Sequence, residues 1–153
     1  MSIKEKISSL GLSLPTAAAP VASYVPAVKT GNLVFTAGQL PVVDGKLVKE
    51  GKVGRDVTAE EAKELAQICA LNALAAISLV TDLDQIDRVV RVGGFVNCAP
   101  GFTAIPGVIN GASEFLIKIF GDVNGKHART AVGVAELPLN APVEVEVIVQ
   151  LKN

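Results

Sequence analysis

Hydrophobic and polar residues alternate along the segment Val143–Leu151, which predicts a β-strand with one buried face. Valine occupies every second position there, and the residues between the valines are mostly polar. A second strand is predicted from Asp87 to Cys98, because β-branched residues are frequent in that stretch. The adjacent Gly93 and Gly94 indicate either a β-bulge in that strand or a close approach to its backbone.

The first third of the chain is expected to form an antiparallel meander. Strands over residues 24–29 and 33–37 flank a Thr-Gly-Asn cluster at residues 30–32, which is typical of a hairpin turn. A second turn is predicted at Asp44 and Gly45. One more strand, from Thr130 to Ala135, is predicted near the end of the chain.

Helical periodicity predicts two long helices. Thr58 and Glu61 form a capping box, so the first helix is expected to begin there and to run towards Thr81. Beyond Ile68 this helix is apolar nearly all round, and both of its sides therefore need to be covered. In the second helical pattern, from residue 108 to residue 119, apolar residues recur at every third and fourth position.

The order of these elements predicts an α+β fold with one mostly antiparallel sheet and two main helices packed on one of its faces. The helices are too few for a doubly wound sheet. Residues 1–20 are interpreted as an extension, made of a short amphipathic helix and a linker that contains Pro15 and Pro20. We expect residues 1–153 to form a single domain without internal repeats.

Composition and motif spacing narrow the functional classes. The 14 basic and 15 acidic residues nearly cancel and do not cluster, so nucleic acid is not expected as a partner. His127, Cys69 and Cys98 show no metal-ligand spacing, and no glycine-rich phosphate motif occurs, so no metal and no cofactor are expected. We interpret His127 as a solvated loop residue and the cysteines as buried thiols.

No membrane span is expected, because the apolar run 68–80 is shorter than the ~18 residues required. The expected location is the cytoplasm.

Arg129 and Glu144 are the residues with the clearest potential for chemistry. The guanidinium of Arg129 offers a rigid fork of donors that matches a small carboxylate, and Glu144, expected on an adjacent strand beside Glu146, offers a base for a water molecule. An ordinary cross-strand ion pair between Arg129 and Glu144 is the alternative interpretation.

Two parts of the chain resemble signatures of the Rid/YjgF family, which is also known as the endoribonuclease L-PSP family. Residues 31–41, GNLVFTAGQLP, look like the family pattern G-N-x-[IV]-[FY]-[TV]-[SA]-G-Q-[IL]-P. Residues 128–138, ARTAVGVAELP, followed by VEVEVIV at 143–149, resemble P-x-R-[ST]-x-V-x-V-x-x-L-P and then I-E-I-E-x-I-A. The resemblance extends from about residue 24 to residue 153, and the N-terminal helix is additional to the family pattern.

The resemblance implies a chorismate-mutase-like fold and a homotrimer whose ligand sites lie in clefts between subunits. It also implies a RidA-like activity, in which reactive 2-imino or enamino acids such as 2-aminoacrylate are hydrolysed to 2-oxo acids and ammonia without a cofactor. Position by position, Arg129 matches the carboxylate-binding arginine and Glu144 the water-orienting carboxylate. The substrate-binding positions implied in the same way are Tyr24, Ala37, Gly38, Asn110 and Ala131.

Two of these positions depart from the pattern of many active deaminases of the family. Ala131 stands where those enzymes carry cysteine, and Ala37 stands where they carry serine. Three functions therefore stay open at this point: an imine deaminase, a non-catalytic binder of a small carboxylate or 2-oxo acid, and a ribonuclease. The near-neutral charge and the aromatic content of 4% disfavour the ribonuclease.

Overall fold

The computed structural model of this protein describes residues 1–17 and 22–153. These residues form three α-helices and seven β-strands. In chain order they are α1 (Ile3–Ser9), β1 (Ala27–Thr30), β2 (Leu33–Thr36), β3 (Val42–Val43), β4 (Lys46–Leu47), α2 (Ala59–Ile77), β5 (Ile86–Asn97), α3 (Ile105–Asn124), β6 (Ala128–Val134) and β7 (Val143–Leu151). Short 3-10 turns at Leu83–Gln85 and Pro138–Asn140 precede β5 and β7.

Five of the strands form one sheet in the order β1–β2–β7–β5–β6. Neighbouring strands are antiparallel except for β5 and β6, which are parallel and are joined by α3. Strand β7 is therefore central in the sheet, although it is the last of the seven in the chain. Strands β3 and β4 form a separate two-stranded hairpin. This arrangement confirms the predicted α+β fold with a mostly antiparallel sheet.

Helices α2 and α3 pack against each other and against one face of the sheet. The predicted capping box is present at the start of α2, where Thr58 Oγ1 accepts from the backbone N–H of Glu61 and the Glu61 carboxylate accepts from that of Thr58. Residues 69–77 of α2 are all buried, as the all-round apolar pattern required. Helix α3 begins at Ile105, earlier than its apolar pattern, and Gly121 interrupts it with a φ of +87°.

The two helices approach closely at Gly111 of α3. A Cβ atom at this position would overlap the carbonyl oxygen of Lys63 in α2. Nearby, Lys63 Nζ lies 3.1 Å from Glu114 Oε2, an ion pair that bridges the exposed side of the same contact. A residue larger than glycine at position 111 would therefore force the helices apart.

Gly93 and Gly94 allow side chains to lie against the backbone of β5. A Cβ on Gly93 would stand 2.8 Å from Glu146 Cγ, and one on Gly94 would stand 2.5 Å from Ile109 Cγ1. Both glycines are regularly paired with β6 and β7, whereas the register shifts of β5 occur earlier, between Ile86 and Arg91. The expectation of a close approach is thus confirmed, and the irregular pairing lies nearer the start of the strand.

The predicted N-terminal helix is present as α1. Ser2 and Glu5 form a capping box at its start, and Ile3 and Ile7 are buried against the rest of the protein. The backbone N–H of Ile3 donates to Asp84 Oδ1 at 2.7 Å, which fastens the helix to the turn before β5. Of the predicted linker, residues 13–17 have no regular structure and residues 18–20 lie outside the described part. No helix formed by the described residues is long and apolar enough to cross a membrane.

Candidate functional site

Glu144 lies on β7, on the face of the sheet that the helices leave open. The valines of β7 are buried on the helix side, so the alternation of the strand turns Glu144 and Glu146 to the opposite side. Val145 of the same strand exchanges two backbone hydrogen bonds with Gln39, with N···O distances of 2.8 and 3.0 Å. A Cβ on the neighbouring Gly38 would overlap the Glu144 carboxylate, so glycine here lets that carboxylate lie against the backbone.

Glu144 is half-buried, and its surroundings make it a weaker acid. Burial raises the pKa of Glu144 above its ordinary value of 4.5, and the nearby negative charge of Glu146 raises it further. Its carboxylate receives no hydrogen bond from the residues that the structure describes. A half-buried, unpaired carboxylate of this kind is suited to taking a proton from water.

An open cavity of about 750 Å³ extends from Glu144. Tyr24, Ala37 and Gly38 line it, so three of the five expected substrate-binding residues lie together with Glu144. This volume falls within the range of roughly 300 to 1,000 Å³ that is usual for small-molecule sites. Most of the remaining wall is apolar and is made by Ala22, Pro26, Leu40, Val42, Pro138 and Leu139.

Leu139 is held at the wall of this cavity in a backbone conformation that side chains rarely adopt. Its φ is +59°, and the next residue, Asn140, has a φ of +58°. The buried Asn97 holds this turn, because its Nδ2 donates to Asn140 Oδ1 and to the carbonyl oxygen of Ala141, each at 3.2 Å. Lys52 Nζ in turn donates to Asn97 Oδ1 at 2.7 Å. A hydrogen-bond network thus fixes the position of an exposed leucine.

Arg129 lies on β6, the strand at the edge of the sheet. It is in register with Val92, whose side chain is buried under the helices, so Arg129 also projects to the helix side. Arg129 Nη1 donates to Asn110 Oδ1 at 2.8 Å and to Ser113 Oγ at 3.3 Å, and Nη2 donates to the carbonyl oxygen of Pro106 at 3.4 Å. All three acceptors belong to α3. Asn110 lies in the second turn of α3 and not at its start, because the helix begins five residues earlier.

These hydrogen bonds occupy Nη1 and one proton of Nη2, and they leave Nε and the other Nη2 proton without an acceptor among the described residues. Nη1 uses both of its protons on α3, whereas Nε has no acceptor among the described residues. The edge formed by Nε and Nη2 is one that binds a carboxylate through two parallel hydrogen bonds. Ala131 follows on the same face of β6 and is half-buried, so it adds no polar group beside the guanidinium.

His127 is half-buried and bonded at both ring nitrogens, so its interpretation as a solvated loop residue is wrong. Nδ1 lies 2.7 Å from the carbonyl oxygen of Gly125, and Nε2 lies 2.9 Å from Ser113 Oγ. Burial lowers the pKa of His127, the Gly125 hydrogen bond opposes this shift, and the positive charge of Arg129 adds to it. His127 occupies the position of the proline in the family pattern, which was the one sequence signal that the residue has a different role here.

The seven predicted site residues form two separate groups within one chain. Strand β5 separates β6 from β7, and Arg129 and Glu144 project from opposite faces of the sheet. The expectation that they occupy adjacent strands, and with it the alternative of a cross-strand ion pair, is therefore wrong. One group is Tyr24, Ala37, Gly38 and Glu144 at the cavity, and the other is Asn110, Arg129 and Ala131 at α3.

The cysteines lie apart from both groups of site residues. Cys69 is fully buried and its Sγ lies 3.8 Å from the carbonyl oxygen of Val143, while Cys98 is half-buried. Burial raises the pKa of both thiols, that of Cys69 strongly, so neither is activated as a nucleophile. Within residues 1–17 and 22–153, no group of three or more His, Cys, Asp or Glu side chains is placed to hold a metal ion.

Comparison with known proteins covers nearly the whole chain. The family model described as "YjgF/chorismate_mutase-like, putative endoribonuclease" matches residues 4–151. The chain is 41% identical to Protein TCP17 of Trypanosoma cruzi, over 99% of this chain and 95% of that protein. It is 31% identical to a 2-iminobutanoate/2-iminopropanoate deaminase of Dermatophagoides farinae, over 92% of this chain and 95% of the relative.

The fold is also found among solved structures. The crystal structure of Atu1372, a protein of unknown function from Agrobacterium tumefaciens, matches with a TM-score of 0.88 at 42% identity. That match covers 98% of this chain and 92% of the other. Sequence and fold thus agree over both signature segments and the elements between them, and the chain belongs to the Rid/YjgF family.

Proposed function

We propose that the protein hydrolyses 2-imino acids to 2-oxo acids and ammonia, at sites formed between the subunits of a homotrimer. The observation that carries this proposal is the Nε–Nη2 edge of Arg129, where Nε has no acceptor among the described residues and Nη2 keeps one free proton, on a guanidinium already held by Asn110, Ser113 and Pro106. A substrate carboxylate bound there would be fixed in position by two parallel charged hydrogen bonds. The Dermatophagoides farinae relative is named for the same substrate class.

The separation of the two groups of site residues supports sites that span two subunits. Arg129 and Glu144 of one chain project from opposite faces of the sheet, so one chain alone does not bring them to one ligand. The face that carries Glu144 also exposes apolar side chains, with Val28 50%, Phe35 39% and Val132 39% accessible. Packing this face against other copies would cover those residues.

The proposed reaction needs only water besides the substrate. Glu144 takes a proton from a water molecule while the water oxygen forms a bond to C2 of the protonated imine. The C=N π electrons move to nitrogen. Glu144 then returns the proton to that nitrogen. The C–N bond breaks as C=O forms, and the hydroxyl proton passes by way of Glu144 to the departing ammonia, so a 2-iminium acid and water give a 2-oxo acid and ammonium. Arg129 holds the carboxylate throughout.

The apolar wall of the cavity gives the proposal a preference among substrates. Glu144 lines a space whose other lining residues include Leu40, Val42 and Leu139. An alanine-derived imine would leave most of the 750 Å³ unused, whereas a longer apolar side chain would bury its surface there. We therefore expect imines of leucine or methionine to be better substrates than the imine of alanine.

Non-catalytic binding of a 2-oxo acid is the second candidate function. It is favoured by Ala37 and Ala131, which place methyl groups where many active deaminases of the family carry a hydroxyl and a thiol. In either case the proposed location is the cytoplasm, since Cys69 and Cys98 are unpaired thiols, as is usual in a reducing compartment.

Ammonia release from imines generated in the assay by an amino-acid oxidase tests the first proposal. The rate with the intact protein is compared with the rate with Arg129→Ala and with Arg55→Ala, which removes an exposed arginine in the turn before α2 and serves as the control. We expect acceleration over the spontaneous rate with the intact protein and the control, and its loss with Arg129→Ala. Binding of 2-oxobutanoate without acceleration of any imine would favour the second candidate function instead.

A further inference from the structure

A continuous hydrogen-bonded chain connects His127 to the Arg129 guanidinium. His127 Nε2 lies 2.9 Å from Ser113 Oγ, and Arg129 Nη1 lies 3.3 Å from the same oxygen. We infer that His127 is a positioning residue, which orients the Arg129 guanidinium through the hydroxyl of Ser113. This inference rests on the proposed role of Arg129 in carboxylate binding and adds the groups that aim it.

The direction of each hydrogen bond follows from the partner at the far end. The carbonyl oxygen of Gly125 only accepts, so His127 Nδ1, at 2.7 Å, carries a proton and donates it. A neutral imidazole has a single N–H, which leaves a lone pair on Nε2 to accept from the hydroxyl of Ser113. That hydroxyl has one proton, so its remaining lone pairs are turned towards the donor Arg129 Nη1.

The neutral state of the ring is favoured by its environment. His127 is half-buried, and the charged side chain that contributes to its titration is Arg129, which lowers the pKa of His127 in the same direction as burial does. A protonated ring would offer Nε2–H to Ser113 and would compete with Arg129 for the lone pairs of that oxygen. Neutral His127 and charged Arg129 are thus compatible partners of a single hydroxyl.

The second acceptor on Nη1 helps to fix the guanidinium, because Arg129 lies on an edge strand that has a neighbouring strand on one side only. Without Ser113, the guanidinium would be held only by Asn110 at 2.8 Å and by the longer, exposed contact of Nη2 with the Pro106 carbonyl oxygen at 3.4 Å. Ser113 is 8% exposed on α3, so its oxygen is a fixed second point. Two acceptors on Nη1, together with the 3.4 Å contact of Nη2 to the Pro106 carbonyl oxygen, set the plane of the fork and leave Nε and the second Nη2 proton to bind a carboxylate.

The tautomer of His127 is the first test. His127 is the only histidine in the chain, so the nitrogen chemical shifts of a protein labelled with ¹⁵N-histidine report this residue alone. We expect the tautomer with a proton on Nδ1 and a lone pair on Nε2 at neutral pH. A proton on Nε2 would reverse the Ser113 hydrogen bond and would overturn the inference.

A double-mutant cycle on ligand affinity is the second test, with 2-oxobutanoate as the probe and calorimetry as the readout. His127→Phe and Ser113→Ala are each expected to raise the Kd about tenfold, as for the loss of one hydrogen bond to a charged group. Because His127 acts through Ser113, the double variant should bind no more weakly than Ser113→Ala alone. His127→Gln, whose amide oxygen can accept from Ser113, should recover part of the affinity.

The control variant is Ser78→Ala, which removes an exposed hydroxyl just after the C-terminal end of α2, where Ser78 Oγ donates to the carbonyl oxygen of Ala75. It should leave the Kd unchanged. Thermal unfolding of every variant separates misfolding from a local effect. Unchanged Kd values in folded His127→Phe and Ser113→Ala, or effects that add fully in the double variant, would leave His127 with a structural role only.

The inference can also be tested if the intact protein binds no 2-oxo acid, an outcome that would refute the second candidate function and remove the affinity readout. The chain has four arginines, so the ¹⁵N side-chain spectrum of an arginine-labelled protein is simple, and Arg129→Lys identifies the signals. Distinct, slowly averaging Nη signals are expected for Arg129 in the intact protein and collapsed ones in His127→Phe. Signals that stay distinct in that variant would contradict the positioning role.

Discussion

Glu146 changes the acidity of Glu144, its neighbour on the same face of β7. They project from the same side of β7, and the charge of Glu146 adds to burial in raising the pKa of Glu144. Because the pKa of the folded state is raised, ionising Glu144 lowers the stability of the fold as pH rises through that pKa. The proposed reaction needs Glu144 in its ionised form, and this is the form that makes the folded protein less stable.

The pH dependence of turnover should reveal this coupling. Only ionised Glu144 accepts a proton, so we expect the rate to fall on acidification through a pKa above 4.5. Glu146→Gln removes one cause of the raised pKa and should move this acid limb to lower pH, whereas Glu64→Gln, on the exposed side of α2, should not. Rates of imine hydrolysis measured from pH 5 to pH 8, corrected for the spontaneous reaction, make the comparison. An acid limb that Glu146→Gln leaves in place would contradict this coupling.

What could be predicted at the residue scale depended on whether a residue belongs to a local pattern. Arg129 and Glu144 were identified because each lies within a contiguous signature. Ser113 accepts from Arg129 and is itself bonded to the ring of His127. These residues belong to different parts of the fold and share no spacing that a linear pattern records. The same is true of Leu139, whose left-handed backbone is held by Asn97.

At the scale of elements, the contact between α2 and α3 depends on one residue without a side chain. Gly111→Ala places a Cβ against the carbonyl oxygen of Lys63, and the helices must separate to accept it. We expect the free energy of unfolding to fall by about 1 to 3 kcal/mol. Gly107→Ala is the matched control, because it lies in the same helix with no atom within 4 Å of the added Cβ. That variant should be more stable by about 0.5 to 1 kcal/mol.

Chemical denaturation of both variants and the parent protein, at one protein concentration, makes this comparison. Equal effects of the two substitutions would show that the close approach at residue 111 contributes nothing to stability.

The turn before β7 combines backbone strain with an apolar contact. Leu139→Gly relieves a positive φ and removes a side chain from the wall of the cavity. We expect a gain in stability of about 1 kcal/mol together with a KM for the leucine-derived imine that rises about fivefold. The KM for the alanine-derived imine, which does not reach this wall, should change little. An equal rise for both substrates would argue against contact between Leu139 and the substrate side chain.

The elements themselves were largely predictable, whereas their order in the sheet was not. The Thr58 capping box and the valine alternation of β7 are contained in a few consecutive residues, and both were present as predicted. The insertion of β5 between β6 and β7 depends on pairings between distant parts of the chain. Periodicity identifies which face of a strand is buried but not which strand lies beside it.

At the scale of the whole molecule, sites that span subunits predict complementation between inactive variants. In a mixed trimer of Arg129→Ala and Glu144→Gln chains, a site is complete when it takes Arg129 from one kind of chain and Glu144 from the other. Random assembly of equal amounts makes about one site in four complete, so unfolding and refolding the two variants together should restore about a quarter of the parent activity. Each variant refolded alone should stay inactive.

Activity that does not return on mixing, in samples that light scattering shows to be trimers, would contradict a site shared by two subunits. Monomeric samples that retain full activity would contradict it as well.

The central place of β7 has a consequence for how the protein is made. Strands β2 and β5 each use β7 as a neighbour, and β7 is the last of the strands to be synthesised. Until β7 leaves the ribosome, the two parts of the sheet that it joins have exposed edges and helices α2 and α3 lack the valines that they cover. We therefore expect a nascent chain stalled before Val143, which has neither Glu144 nor a complete sheet, to be a substrate for chaperones and proteases. Only chains translated through β7 contain both Arg129 and Glu144.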